Sequence, residues 1–272
     1  MKKVFSALGT VLLVLSLFSC SKKVEKGEFT VEKGKFKVAM EIGYPPFEFY
    51  AKDGKTPAGF DVALGTELAN RLGLEVEIID TAWDGIFAGL NTNRYDVVIS
   101  AATITPDREK NFIFSTPYIA NGQAIILRKD SNISIKEFSD LKGLKVGYQA
   151  ETTSDFYTKK HSAGVFTYIE NGYDKVMNAY DDLRLGRIDA VVSDNLVSVD
   201  YLMKDAETFE KVWESDPDEF FGVCMKKDNT VLKEKVDSAL KDMKSDGTLE
   251  SMYFKIFGPL GGELYNSIFD AE

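Results

Sequence analysis

The stretch FDVALGTELANRLGLEVEII, residues 60–79, shows the pattern that recurs along this chain. Its first part, residues 60–72, places apolar side chains at helical spacing, and Gly73 is typical of a helix end. Residues 74–79 follow at once as an apolar strand. A helix joined so directly to a strand is typical of an α/β fold, in which helices cover a sheet.

Strand-like and helix-like segments alternate on both sides of this stretch. We predict strands at residues 36–40, 74–79, 95–100, 144–148, 166–169 and 188–193. We predict helices at residues 60–72, 83–90, 153–160, 173–185, 196–204, 231–243 and 249–256. Alternation of this kind implies parallel sheets flanked by helices.

Two features indicate two lobes. RYDVVIS at 94–100 is echoed by RIDAVVS at 187–193, and each series of elements has the length of an ordinary lobe. The predicted first lobe comprises residues 36–119 and 222–272, and the predicted second lobe comprises residues 120–221. The chain would cross between them near residues 119–123 and 216–221, as a two-strand hinge.

The first residues predict export. Lys2 and Lys3 precede an apolar run that ends at Phe18, which is shorter than the ~20 residues of a membrane span. We therefore expect a signal peptide at residues 1–19. Cys20, followed by polar residues, resembles a lipoprotein attachment site, and residues 20–35 predict a flexible tether. The expected location is the periplasmic or cell-surface face of the bacterial membrane. We expect the protein to contact the membrane through the lipid anchor only.

Composition excludes several classes of partner and site. The formal net charge of −10 repels nucleic acid and anionic headgroups. With Cys20 lipidated, Cys224 has no disulfide partner, so the core must hold the fold. The chain has one histidine, His161, and no metal-ligand cluster, Ser-His-Asp set or phosphate loop. We expect no metal and no cofactor.

Polar and aromatic side chains follow the predicted strands. In open α/β sheets, ligands bind beyond the carboxyl ends of the strands. The candidate ligand-binding residues are Glu41, Tyr44, Trp83, Ser100, Ala101, Thr103, Arg108, Gln149, Thr153 and Asp194.

These side chains suit a free amino acid. Arg108 offers a planar fork for a carboxylate, and Asp194, from the opposite series, can accept from an α-ammonium. Tyr44 and Trp83 supply flat apolar walls. Each residue also has a structural alternative. Arg108 could pair with Asp107 at the surface, and Asp194 could cap the helix that follows it.

The chain resembles the periplasmic amino-acid-binding proteins of ABC importers, the group with the histidine-, lysine/arginine/ornithine- and glutamine-binding proteins. The resemblance runs from about Phe36 to Phe257 and is carried by eight short stretches in order. Among them are YPPFEF at 44–49, AWDGIFAGL at 82–90, SAATITPDR at 100–108 and GRIDAVVSD at 186–194. It implies the two-lobed periplasmic-binding-protein fold of type II, with each lobe a sheet flanked by helices.

The resemblance also implies roles for individual residues. Arg108 and Thr153 match the groups that bind the ligand carboxylate, and Asp194 matches the α-ammonium acceptor. Ser100 and Thr103 match backbone and hydroxyl contacts, while Tyr44 and Trp83 match the walls. Glu41 stands where basic-amino-acid binders have an aspartate that reaches the ligand's distal cation. The chain departs from the family pattern at Ala101, in place of a serine, at Gln149, and at Glu151, in place of a glycine.

The resemblance implies a monomeric binding protein that delivers an amino acid to the permease subunits of an ABC importer, and not an enzyme. A buried Glu41 without a partner is costly. A ligand with a side-chain cation would remove that cost, which favours arginine, lysine, ornithine or histidine. A neutral ligand such as glutamine stays open. The rival from another class is a dehydratase resembling cyclohexadienyl dehydratase, with Glu41 or Glu151 as general acid.

Overall fold

The computed structural model describes residues 27–258. Cys20, the predicted signal peptide and residues 259–272 of the predicted first lobe lie outside the described residues. No helix within residues 27–258 combines the length and the apolar character needed to cross a bilayer.

Strands and helices alternate through the described residues. The strands are β1 (Lys35–Met40), β2 (Phe49–Tyr50), β3 (Pro57–Ala58), β4 (Glu75–Asp80), β5 (Val97–Val98), β6 (Phe112–Phe114), β7 (Ile119–Asn121), β8 (Gln123–Arg128), β9 (Lys145–Gln149), β10 (Ile169–Tyr173), β11 (Ala190–Asp194), β12 (Phe209–Glu214), β13 (Glu219–Phe221) and β14 (Cys224–Lys226). The α-helices are α1 (Phe60–Leu72), α2 (Trp83–Ile86), α3 (Ala88–Asn91), α4 (Pro106–Asn111), α5 (Thr153–Ser162), α6 (Val176–Arg184), α7 (Asn195–Lys204), α8 (Thr230–Ser245) and α9 (Thr248–Phe257), and a 3₁₀ turn spans Phe138–Leu141.

Each lobe is built on a five-stranded sheet. The first lobe has the strand order β4-β1-β5-β14-β6, and the second has β10-β9-β11-β8-β12. The predicted parallel arrangement holds for β4, β1 and β5 and for β10, β9 and β11. It is wrong for β14 and β8, which run antiparallel to their neighbours. β8 comes directly after β7, and β14 comes directly after β13. Each therefore starts at the edge of its sheet where the parallel strands end, and runs in the opposite direction to them.

Two short strands join the lobes. β7 pairs antiparallel with β13, with Asn121 opposite Glu219 and Ile119 opposite Phe221. β7 leads into the second sheet through Gly122, and β13 leads back into the first sheet through β14. Because the lobes share this narrow ribbon, they can rotate against each other about it.

Helix α1 has the predicted bounds. Gly73 caps its carboxyl end in the left-handed conformation, with φ of 68°, and donates backbone hydrogen bonds to Ala69 and Asn70. Its buried face includes Phe60, Leu64 and Leu68, which pack in the core of the first lobe. The spacing of the apolar residues therefore sets which face of the helix lies against the sheet.

The echoed segments occupy equivalent places in the two lobes. Asp96 accepts from the backbone of Lys37 at 2.7 Å, and Asp189 accepts from the backbone of Lys145 at 2.8 Å. Each aspartate precedes a strand that runs parallel to the strand containing that lysine. The repeated sequence therefore forms the same hydrogen bond between an aspartate and a strand backbone in each lobe.

Four predicted elements differ from the structure. The helix predicted at 83–90 is two single turns, α2 and α3, because the Tyr95 hydroxyl bonds to the Ile86 carbonyl and packs against Gly89. The strand predicted at 95–100 pairs only at Val97–Val98. The strand predicted at 166–169 begins at Ile169, and Phe166, ahead of it, is partly buried against the core of the second lobe. The helix predicted at 173–185 begins at Val176, because Tyr173 is the last residue of β10.

Residues 28–31, which the sequence assigns to the tether, lie against the first lobe. The backbone of Val31 donates to Asp96 at 2.5 Å, and the backbone of Phe29 accepts from Asn229 at 3.0 Å. Thr30 is buried. This part of the chain is therefore held to the folded domain.

Candidate functional site

A small cavity lies between the two lobes. The structure brings all ten candidate binding residues to its wall, together with Thr152. The lining residues are Glu41, Tyr44, Trp83, Ser100, Ala101, Thr103, Arg108, Gln149, Thr152, Thr153 and Asp194.

The strands explain why these side chains meet. Glu41 follows β1, Gln149 ends β9 and Asp194 ends β11. Since the carboxyl ends of parallel strands share one edge of a sheet, each lobe presents its strand ends to the same cleft. The helix α5 also begins at the cavity, with Thr153 as its first residue.

Arg108 is fixed between two aromatic rings. Its guanidinium carbon lies 5.2 Å from the ring centre of Trp83 and 4.9 Å from that of Phe87. Its Nη1 donates to the carbonyl of Thr103 at 2.8 Å. Burial lowers the pKa of Arg108. The alternative pairing with Asp107 is absent, because that carboxylate bonds to Lys110 at 2.5 Å.

Asp194 is a buried carboxylate held from both sides of the cleft. Its Oδ2 accepts from the Tyr44 hydroxyl at 2.6 Å, and its Oδ1 accepts from Gln123 Nε2 at 2.9 Å. Burial raises its pKa, while the hydrogen bonds from Tyr44 and Gln123 act in the opposite direction. Although Asp194 stands at the start of α7, its side chain makes no capping hydrogen bond. The carboxylate therefore faces the cavity and not the helix.

Glu41 forms a second contact between the lobes. Its Oε2 accepts from Gln149 Nε2 at 2.5 Å, and the same nitrogen donates to the carbonyl of Asp174 at 2.9 Å. Burial raises the pKa of Glu41, and the bond from Gln149 and the charge of Lys175 oppose that rise. Lys175 also donates to the carbonyl of Ile42, at 3.0 Å.

Trp83 and Thr103 complete the contacts across the cleft. Trp83 Nε1 donates to the carbonyl of Glu151 at 3.0 Å, and the hydroxyls of Thr103 and Thr153 lie 3.4 Å apart. Each of these contacts joins one lobe to the other. The structure is therefore a closed state of the cleft.

Two of the three positions at which the chain departs from the family pattern, Ala101 and Glu151, have an unusual backbone conformation. Glu151 has a φ of 60° and Ala101 a φ of 45°, both in the left-handed region that L-residues seldom adopt. A glycine at 151, the usual family residue, would adopt this conformation without strain. The side chain of Glu151 is exposed and lies outside the cavity lining. Of the two acids named for the dehydratase alternative, Glu41 lines the cavity and Glu151 does not.

Two buried acids behind the cavity were not predicted. Glu48 Oε1 accepts from the Ser100 hydroxyl at 2.5 Å, and Asp61 Oδ2 accepts from the backbone of Ala101 at 2.6 Å. Burial raises the pKa of Asp61 to about 7, and burial next to Asp61 raises the pKa of Glu48 well above its usual value. The Ser100 hydroxyl proton is thus engaged by Glu48. In the sequence, an acidic residue inside an otherwise apolar motif, as in YPPFEF and GFDVAL, is the feature that indicates such a buried acid.

Two further residues at the hinge were also missed. Gln123 begins β8 and Glu219 begins β13. Glu219 Oε1 accepts from Gln123 Nε2 at 2.9 Å, and Glu219 Oε2 accepts from the Thr103 hydroxyl at 3.3 Å. The sequence predicts the hinge crossings, but neither residue follows a predicted strand, so the argument from strand ends does not identify them.

Comparisons with known proteins agree with this geometry. The family model of the bacterial extracellular solute-binding proteins, family 3, matches residues 36–259. The L-cystine-binding protein TcyJ of Escherichia coli is 38% identical over 227 residues, which cover 84% of this chain and 84% of that protein.

Two solved structures show the same likeness. An ancestral arginine-binding protein bound to glutamine is 40% identical, with a TM-score of 0.77, and covers 83% of this chain and 99% of its own. An ancestral arginine-binding protein bound to arginine is 38% identical, with a TM-score of 0.79 and the same coverage. The two-lobed fold, the cavity between the lobes and the match over residues 36–259 together show that this chain belongs to the bacterial extracellular solute-binding proteins, family 3.

Proposed function

We propose that this protein captures a free amino acid outside the cytoplasm and delivers it to an ABC importer, and that the amino acid carries a second cationic group. The observation that carries the proposal is the placement of Arg108 and Asp194. They come from opposite lobes, are buried or half-buried, and line one small cavity. One group suits a carboxylate and the other an ammonium.

The first lobe and the start of α5 would hold the α-carboxylate. Arg108 is already orientated by Trp83 and Phe87, so its fork needs no rearrangement to bind two oxygens. Thr153 opens the ten-residue helix α5, whose first backbone N–H groups favour an anion. A ligand held by both lobes would stabilise the closed state.

Asp194 would hold the α-ammonium. Tyr44 and Gln123 each donate one hydrogen bond to this carboxylate, which leaves further lone pairs for the ligand. In a cleft closed to water, such a charge-assisted bond is stronger than a neutral one.

The charge balance of the wall favours a cationic side chain. Among the described lining residues, Arg108 supplies one guanidinium, while Glu41 and Asp194 supply two carboxylates. After the α-groups of the ligand pair with Arg108 and Asp194, the charge of Glu41 remains. Arginine, lysine, ornithine and histidine offer a cation for it, and the flat walls of Tyr44 and Trp83 add cation–π attraction of ~1–2 kcal/mol.

The names of the relatives are consistent with this class and leave two alternatives. Cystine, the ligand in the name of TcyJ, also carries a second ammonium that could reach Glu41. Glutamine, found in one of the solved structures, carries no such charge. In that case the hydrogen bond from Gln149 and the charge of Lys175 would satisfy the carboxylate.

We propose binding and not catalysis as the role of the cavity. The dehydratase alternative needs an acid placed beside the reacting group. Glu151 is exposed outside the lining, and Glu41 already bonds to Gln149. We further propose that Cys20 carries the lipid anchor after removal of residues 1–19, and that residues 36–119 with 222–272, and 120–221, are the two lobes.

Substitution of Glu41 by glutamine tests the ligand class. The neutral amide still accepts from Gln149, so the lobes can close, but the charge that would meet a ligand cation is gone. We expect the affinity for arginine or cystine to fall by about 10- to 100-fold, as for a lost hydrogen bond to a charged group, and that for glutamine by less than about threefold. Calorimetric titration of each ligand measures this difference.

Glu77→Gln provides the matched control. Glu77 lies on β4, beside β1, and bonds to Lys35 away from the cavity. Its substitution should leave every affinity unchanged. Equal losses for arginine and glutamine in the Glu41→Gln protein would contradict a role for Glu41 in recognising a cation.

A further inference from the structure

Glu219 occupies a place that no strand-end argument covers. It lies on the hinge strand β13, opposite Asn121 of β7, and contacts both lobes. It accepts from Thr103 of the first lobe at 3.3 Å and from Gln123 of the second lobe at 2.9 Å. A closing motion about the hinge therefore brings groups of both lobes onto this one carboxylate.

The amide of Gln123 is shared between two acids. Gln123 is fully buried, and its Nε2 lies 2.9 Å from Asp194 Oδ1 and 2.9 Å from Glu219 Oε1. Both of its N–H bonds are thus directed at carboxylates, and Thr153 Oγ1 is a third neighbour at 3.5 Å. Its Oε1 is buried without a hydrogen-bond partner in the described part of the chain. This cluster has more acceptors than donors.

We infer that Glu219 is a further residue of the binding site: it positions Asp194 through Gln123, and it takes up a proton when the lobes close on the ligand. The inference rests on the proposed function, because it concerns the same cavity. It adds that ligand binding is coupled to the uptake of one proton, which does not follow from the roles proposed for Arg108 and Asp194.

The charge balance of the closed cleft explains the proton. The ligand carboxylate would neutralise Arg108, and the ligand ammonium would neutralise Asp194. Glu219 would then keep a negative charge with no cation beside it in a site that excludes water, where an unpaired charge is costly. Protonation removes that charge and supplies the missing donor.

Apart from Arg108, which the ligand carboxylate would neutralise, the groups facing Glu219 do not provide a buried cation. Lys160, on α5, lines the groove beside Glu219 but is exposed, so water screens its charge. The titratable or charged groups around Glu219 are Asp107 and Arg108 from α4, Tyr157 and Lys160 from α5, Asp194 from β11 and Asp218 from the segment before β13.

The titration of Glu219 agrees with this geometry. Burial, and then the charge of Asp194, raise the pKa of Glu219 to about 7 in the closed cleft. Opening exposes the carboxyl to water and returns its pKa towards the ordinary value of ~4.3. Because the pKa is higher in the closed state, protons favour closure. That advantage is complete below the open-state pKa and is lost as the pH rises through about 7.

Calorimetry in two buffers of different ionisation enthalpy counts the protons taken up. We titrate the protein with arginine at about pH 6, between the two pKa values, and compare wild type with Glu219→Gln. The wild type is expected to take up close to one proton more per bound ligand than the variant. The comparison cancels protons that other groups, such as Glu41, bind or release.

Asp96→Asn is the control for this count. Asp96 is a buried acid of the first lobe with a pKa raised by burial to about 6, but it bonds to the backbone of Val31 and Lys37, remote from the hinge. Its substitution should leave the proton count unchanged. A second measurement uses affinity: the ratio of the wild-type to the Glu219→Gln affinity for arginine should fall as the pH rises from about 5 to about 7, by at most tenfold per pH unit, and the ratio cancels the titration of Glu41 and Asp194.

The outcomes separate this inference from the proposed function. Arginine binding with equal proton counts in wild type and Glu219→Gln, or a ratio of their two affinities that does not change over that pH range, would overturn the role of Glu219 and leave the proposed function intact. No binding heat with any amino acid in the wild type would overturn both.

Discussion

Substitution of Arg108 by methionine is expected to lower amino-acid affinity by about 30-fold to several thousand-fold, which corresponds to a loss of ~2–5 kcal/mol. Methionine keeps much of the length of the side chain, so it can still fill the space between Trp83 and Phe87. What it removes is the cation that would meet the ligand carboxylate inside a closed cleft. Calorimetric titration with arginine measures the loss.

Two further variants make the Arg108 result specific. Arg108→Lys keeps the charge but loses the planar fork, so we expect an intermediate loss. Arg71→Met removes an arginine of the same lobe that bonds to Glu67 and Asp246 on the outer surface, and it should leave affinity unchanged. A folded Arg108→Met protein that binds within threefold of wild type would remove Arg108 from the site.

Substitution of Asp194 by asparagine is expected to have a loss of similar size, ~2–5 kcal/mol in binding, because the ligand ammonium loses its counter-charge. The ligand-free protein should behave differently. Burial raises the pKa of Asp194, so this carboxylate is destabilised in the closed cleft, and its neutral isostere should unfold at the same or a higher temperature. Thermal unfolding with and without arginine measures both effects.

Opposite effects on binding and stability would distinguish a binding role from a structural one. Asp200→Asn is the matched control, since Asp200 lies in α7, bonds to Lys204 and does not line the cavity. It should leave the ligand-induced stabilisation unchanged. If Asp194→Asn unfolded at a lower temperature yet kept its ligand-induced stabilisation, the carboxylate would serve the fold alone.

Much of the fold could be predicted because local signals and packing agree. In α1, the apolar spacing, Gly73 and the following strand all indicate the same element, and the bounds match. The strand predicted at 166–169 failed for the opposite reason. β10 is an edge strand whose residues are mostly exposed, so its sequence, IENGY, carries no apolar alternation.

The candidate site was predictable where it depends on strand ends. Topology alone brings Glu41, Gln149 and Asp194 to one cleft, whatever the details of packing. Glu219 and Gln123 depend on how the hinge ribbon is twisted between the lobes, which no local pattern encodes. The orientation of the Arg108 side chain likewise depends on its contact with Phe87, which the sequence around Arg108 does not indicate.

Thermal unfolding of the protein with arginine, agmatine and Nα-acetyl-arginine tests the central claim most directly. Agmatine lacks the α-carboxylate that Arg108 would bind, and the acetyl derivative lacks the ammonium that Asp194 would bind. At about a thousand times its dissociation constant, arginine should add ~4 kcal/mol to the free energy of unfolding, and the two derivatives should add almost nothing at the same concentration. Equal stabilisation by agmatine and arginine, or none by any amino acid, would contradict a clamp that closes on the α-groups of an amino acid.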